Sequence, residues 1–124
     1  MDDRDPLTHE IIGAAIAVAR ALGVGLLESV YQACLAHELV KRGLETSEQP
    51  VLPVTYDGLT LAMAFKPDLV VERTVIVEIK AVRAILPVHE AQLLTYLRLS
   101  GLRTGLLINF NALPFAKGIK RMVL

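Results

Sequence analysis

The stretch from Pro67 to Ala81 constrains the fold more than any other. It reads Asp68-Leu69-Val70-Val71, breaks at Glu72-Arg73-Thr74, and resumes as Val75-Ile76-Val77-Glu78-Ile79-Lys80. Near-continuous runs of β-branched residues suit strands buried on both faces, which calls for helices on either side of a sheet. Two acids sit inside these runs. An ionised carboxylate there costs several kcal/mol unless it is paired or holds a cation.

Side-chain alternation puts Glu78 and Lys80 on one face of their strand and Ile79 on the other. Register decides whether Asp68 joins them. A three-residue loop at Glu72-Arg73-Thr74 sets Asp68 directly opposite Glu78, with Cβ atoms about 5 Å apart. A two-residue loop would separate the acids onto opposite faces and remove the site. Two carboxylates that close repel unless a positive charge lies between them. Mg²⁺ accepts oxygen from one or two carboxylates and keeps several waters. Lys80 beside it would hold an attacking water or offset charge developing on a phosphate. Spacing alone leaves two readings open: a metal site, or a cluster in which Lys80 simply pairs with Glu78 or Asp68.

The rest of the chain frames this hairpin. Thr8 is a candidate N-cap for a first helix ending near Leu22, and Gly23-Val24-Gly25 breaks it. A second helix is expected from about Leu26 to Arg42, stopped by Gly43. Pro50 and Pro53 point to an irregular or edge strand through Tyr56, and Asp57-Gly58 to a hairpin turn. The next strand is expected from Leu59 to Glu72. Pro87 opens a helix over His89 to Leu99, closed by Gly101. Gly105 to Phe110 reads as a buried strand and Ile119 to Leu124 as a short last one. Two helices, three antiparallel strands, a helix and two strands make an α/β domain with a mixed sheet and helices on both faces.

Composition narrows the function classes. The 124 residues suit a single domain spanning 1–124. Hydrophobic residues make up 53% and mean hydropathy is +0.48, which fits a doubly covered sheet, a self-associating surface, or both. Lys+Arg and Asp+Glu number 13 each. Zero net charge argues against a broad nucleic-acid footprint but allows a local patch. The lone Cys34 excludes an intrachain disulfide and a Cys-rich zinc site. The acidic start, Met1 to Asp5, is unlike a signal peptide. The apolar run Ile11 to Leu27 is broken by Arg20 and falls short of the ~20 residues that span a bilayer. A cytoplasmic protein without membrane association is the expectation.

Four segments in order resemble a known family. Pro67-Asp68 followed by Glu78-Ile79-Lys80 is similar to the PD-(D/E)XK signature. Gly25-Leu26-Leu27-Glu28-Ser29-Val30-Tyr31 reads as GxxExxY, and Gln92-Leu93-Leu94-Thr95-Tyr96 as QxxxY. Leu106-Leu107-Ile108-Asn109-Phe110 with Gly118-Ile119-Lys120-Arg121 resembles the end of the same family. The chain resembles GxxExxY proteins, a branch of the PD-(D/E)XK nuclease superfamily, from Leu7 to Leu124. Ala19 and Val24 stand where that family often has His and Pro. The resemblance implies a restriction-endonuclease-like core of order αβββαβ, here with an extra N-terminal helix. It implies Asp68 and Glu78 as ligands of Mg²⁺ or Mn²⁺ and Lys80 as catalytic lysine. Glu28 would complete or support the metal site, with Gln92 and Tyr96 beside it.

Outside that resemblance the bland readings lead. His9 and His37 lack partners at ligand spacing. His89 suits a first-turn surface residue, and Cys34 suits core packing. Gln92 and Tyr96, four apart, would by themselves be a surface polar pair. Arg83, Lys117, Lys120 and Arg121 divide evenly between phosphate contacts and a solvated face. Two functions are expected to compete. One is a metal-dependent nuclease acting on nucleic acid, with DNA ahead of RNA. The other is a catalytically silent or partner-dependent interaction module that keeps the nuclease fold, acting as a homodimer.

Overall fold

A computed structural model describes residues 5–124; the acidic start before Asp5 lies outside the described residues. Helix α1, Pro6–Leu22, begins earlier than Thr8 suggested. Asp5 is the cap: its Oδ1 accepts from the Leu7 and Thr8 N–H groups, at 3.2 Å each, and Pro6 fills the first turn, where no donor is needed. Thr8 is instead buried under that turn. Helix α2, Glu28–Lys41, follows a short connection.

Five strands form the central sheet in the order β1-β4-β5-β6-β7. They are β1 (Thr46–Glu48), β4 (Leu69–Val71), β5 (Val75–Lys80), β6 (Thr104–Asn109) and β7 (Ile119–Val123). Helix α3, Pro87–Ser100, carries the chain from β5 to β6, which run parallel; the other pairings are antiparallel. This is the mixed, helix-flanked α/β sheet expected. Alternation along the strands splits the core into two layers. Val75, Val77 and Ile79 of β5 pack with Leu106 and Ile108 against α1 and α2. Ile76 and Leu107 pack against Leu93 and Leu97 of α3.

Two strand assignments change. The run expected from Leu59 to Glu72 is two strands in different sheets: β3, Leu59–Phe65, ends before Lys66-Pro67-Asp68, and β4 begins at Leu69. Pro67 has no N–H for a ladder, so the strand cannot continue through it. β3 pairs only with β2, Leu52–Tyr56, as a separate two-stranded hairpin. Its Asp57-Gly58 turn has positive φ at both residues, as a tight hairpin needs. The first strand of the central sheet is β1, whose Thr-Ser-Glu sequence has no apolar alternation. It is a short edge strand, so burial never had to select its residues.

The β4–β5 loop is the three-residue one. Leu69 pairs with Val77, Val70 with Ile76 and Val71 with Val75. Glu72 and Arg73 adopt positive φ in the turn. The segment before β1 clasps it: the Glu72 N–H donates to Glu45 O at 2.7 Å, and Glu72 Oε2 accepts from Glu45 N–H at 2.7 Å.

Candidate metal centre

One further rung of the β4–β5 register sets Asp68 opposite Glu78, but side chains replace the ladder there. The Asp68 N–H donates to Glu78 Oε1 at 2.9 Å, and the Ile79 N–H donates to Asp68 Oδ2 at 2.8 Å. Each acid thus satisfies a backbone donor on the other's strand. The charge of the Asp68 carboxylate also acts on Glu78. Glu78 is buried, 5% exposed, in a sheet whose neighbours are aliphatic. Burial and, second, the Asp68 carboxylate push its pKa up to about 8. Burial also raises that of Asp68, against the Ile79 hydrogen bond and the Lys80 charge, which lower it.

Lys80 lies half-buried at the end of β5, on the same face as Glu78. Among the described residues it forms no ion pair within 4 Å. Its charge nonetheless favours ionisation of both acids. The reading in which Lys80 merely neutralises Glu78 or Asp68 by direct contact is therefore not the arrangement found.

Glu28 reaches this end of the sheet from the first turn of α2, with its Oε2 accepting from the Ala81 N–H at 3.1 Å. Its charge acts on Asp68, yet its carboxylate is turned toward the backbone. Among the described residues no three His, Cys, Asp or Glu side chains form a ready-made metal cluster. Tyr31, one turn on, places the helix. Its hydroxyl donates to Gly23 O at 2.7 Å and accepts from the Leu26 N–H at 3.2 Å, while its ring stacks on Phe110 at 4.5 Å.

Helix α3 brings Tyr96 to the other side. Desolvation first, then the charges of Glu78 and Asp68, hold its phenol protonated above the usual range. Its ring rests 4.9 Å from Phe65, at the base of the hairpin. A cleft of about 530 Å³ opens here, lined by Val51, Met63, Phe65, Lys66 and Tyr96. Gln92, one turn before Tyr96, is exposed and makes no hydrogen bond to either acid. His89 accepts the Leu86 N–H on Nδ1 at 3.0 Å, so it caps α3.

Asn109 is a residue whose role sequence reasoning missed. Buried at the end of β6, its Oδ1 accepts from Val82 N–H at 3.0 Å and its Nδ2 donates to Val82 O at 2.9 Å. It pins the loop after β5. The signal was present: a polar residue closing the apolar run Leu106-Leu107-Ile108. Asn111 does a related task, its Oδ1 accepting from Gly25 N–H at 2.9 Å. Of the basic residues, Arg121 belongs elsewhere. It points to the α1 side and pairs with Asp5 at 3.1 Å. His9 and His37 are exposed, and Cys34 packs partly buried against the core between α1 and α2.

The donor set fits a hard divalent cation. Two facing carboxylates, each with one oxygen committed to a backbone N–H, leave a second oxygen apiece. Their mutual destabilisation is what such a cation relieves. No helix among the described residues is long and apolar enough to cross a membrane. No curated protein and no solved structure matches the chain in the comparisons made. A family model described as the PD-(D/E)XK nuclease superfamily matches residues 5–122. With its sheet, hairpin and acids placed as described, the chain belongs to the PD-(D/E)XK nuclease superfamily.

Proposed function

We propose that this protein is a divalent-metal-dependent nuclease that hydrolyses phosphodiester bonds of nucleic acid, with DNA as substrate ahead of RNA. The observation that carries it is the pairing of half-buried Asp68 with buried Glu78, with Lys80 on the same face and free of any direct ion pair among the described residues. Asp68 and Glu78 hold Mg²⁺ or Mn²⁺, and Glu28 supports them from α2. A cation bound there would lower the pKa of a coordinated water and offset charge on the phosphate. Lys80 presents its ammonium to the attacking water or to a phosphate oxygen. Tyr96 stays neutral and donates from its hydroxyl, and Gln92 extends that polar edge along α3. The cleft between the hairpin and α3 admits the strand. The four-segment pattern favours the GxxExxY branch within that superfamily, and the single cysteine suits a cytoplasmic setting.

The test is strand cleavage against metal concentration for wild type, Asp68→Ala and Lys80→Ala. Losing one oriented charged group from such a site lowers turnover by about 10²–10³-fold. Lys80→Ala should do so while still binding Mn²⁺, whereas Asp68→Ala should lose both. Metal-dependent cleavage unchanged in both variants would overturn the reading.

A second reading has its own observation. The β2–β3 hairpin leaves Tyr56, Leu59, Leu61 and Met63 between 54% and 80% exposed, and Asp57 is its only charged residue. A two-stranded hairpin is marginal by itself, and an uncharged apolar face favours a protein partner over nucleic acid. This supports a homodimer formed through the hairpin, with or without catalysis. Sedimentation of wild type against Leu61→Lys/Met63→Lys decides it: a concentration-dependent dimer should become a folded monomer. A wild type monomeric at all concentrations would exclude it.

A further inference from the structure

A second recess lies beyond the loop after β5. It measures about 450 Å³ and is lined by Arg83, Ile85, Leu113, Lys117 and Lys120, with Glu90 at its wall. Three cations against one anion give it a local excess of two positive charges in a chain whose formal net charge is zero. The excess is available rather than spent. Lys120 pairs with Glu90 at 2.7 Å, while Arg83 and Lys117 form no ion pair among the described residues.

The recess is built, not incidental. Asn109 grips both backbone groups of Val82, the residue before Arg83. Gly118 lets the turn carrying Lys117 close on the sheet, since a Cβ there would come within 2.5 Å of Asn109 O. One buried asparagine thus fixes the loop of Arg83 and abuts the turn of Lys117. Arg83 stands three residues beyond Lys80, so the two are no more than about 11 Å apart even along an extended chain. The recess is therefore a near neighbour of the acids.

We propose that this recess is a nucleotide subsite for an unpaired strand. It takes the phosphate of a nucleotide displaced from the scissile one on Arg83 and Lys117, and the base against Leu113 and Ile85. The proposal rests on the nuclease reading and narrows its substrate to single-stranded or frayed nucleic acid. Two features select that class. The volume lies in the range of small-ligand pockets and suits one nucleotide, whereas a duplex presents a convex backbone that meets only its rim. A duplex binder also needs a wide positive face, and this chain has no net charge to supply one. Apolar and cationic walls together fit the two halves of a nucleotide.

The experiment measures binding in the presence of a chelator, so that cleavage plays no part. A fluorescein-labelled single strand and its duplex are titrated with wild type, Arg83→Gln/Lys117→Gln and Arg83→Glu/Lys117→Glu at several salt concentrations. Both residues are exposed, so the variants should retain the wild-type melting temperature. Wild type should prefer the single strand. The Gln variant should bind it about tenfold more weakly, and its log–log salt slope should shrink by about 0.7, the share of one strand phosphate. The Glu variant should lose more. Equal binding of duplex and single strand by wild type, no binding of either, or an unchanged affinity and slope in folded variants would overturn the subsite. Intact, salt-sensitive binding without metal-dependent cleavage would instead count against the nuclease reading alone.

Discussion

Burial gives Glu78 a titration that stability measurements can read. Its folded pKa is about 8 against an ordinary 4.5. Between those values the folded chain binds a proton that the unfolded chain has released, so stability falls as pH rises through that window. The metal-free protein should therefore melt at lower temperature at pH 9 than at pH 5. Glu78→Gln should flatten this dependence, and added Mn²⁺ should raise the melting point most at high pH, where the acid no longer holds its proton. A metal-free melting point that rises with pH would contradict the burial argument. Asn109 offers a test of a different kind. Asn109→Ala orphans both polar groups of Val82, at about 1–3 kcal/mol per buried group left unpaired. Asn109→Asp keeps the acceptor and should cost less at the Val82 N–H, and thermal unfolding of the pair separates the two bonds.

At the scale of elements, the parts legible in the sequence were those where burial selects residue type. β5 and β6 are buried along nearly their whole length and read directly as Val-Ile-Val and Leu-Leu-Ile. A shared face for the two acids requires the three-residue loop, and the pairing of Leu69 with Val77 meets that condition. β1 was illegible because an edge strand of three polar residues carries no periodicity. The hairpin was legible as a hairpin but not as a separate sheet. Strand propensity reports local pairing, and the break at Pro67 was outweighed by apolar residues on both sides. The start of α1 was misplaced because two capping residues compete within one turn, and Asp5 wins by adding an ion pair to Arg121. Packing between elements is testable at Gly105, where a Cβ would lie 2.8 Å from the Leu93 side chain of α3. Gly105→Ala should destabilise by about 1–3 kcal/mol through overpacking, less than Gly118→Ala, whose new methyl meets backbone. Equal melting points for the two variants would show that α3 and the terminal turn are equally yielding.

For the whole molecule, sequence identified which charged residues come together better than it identified how they are held. Asp68, Glu78 and Lys80 were visible as charges inside apolar strands, a local signal. Glu28 and Tyr96 arrive from helices far away in the chain, and only the resemblance named them. Gln92 shares their pattern but stands exposed on α3 and bonds to neither acid. The exchange of backbone donors between Asp68 and Glu78 was not legible at all, since it exists only once the strands are paired. That exchange has a consequence for judging relatives of this chain. Each carboxylate ends a β-ladder by taking the N–H that the next rung would have used, so both acids are structural splices as well as candidate ligands. A relative without any cleavage activity would still unravel this corner on losing either one, and selection for folding alone would keep them. Lys80 closes no such splice. In a lineage drifting from enzyme to scaffold, the lysine should be the first of the three to go, and its loss beside two intact acids is the mark by which a retired nuclease would be recognised.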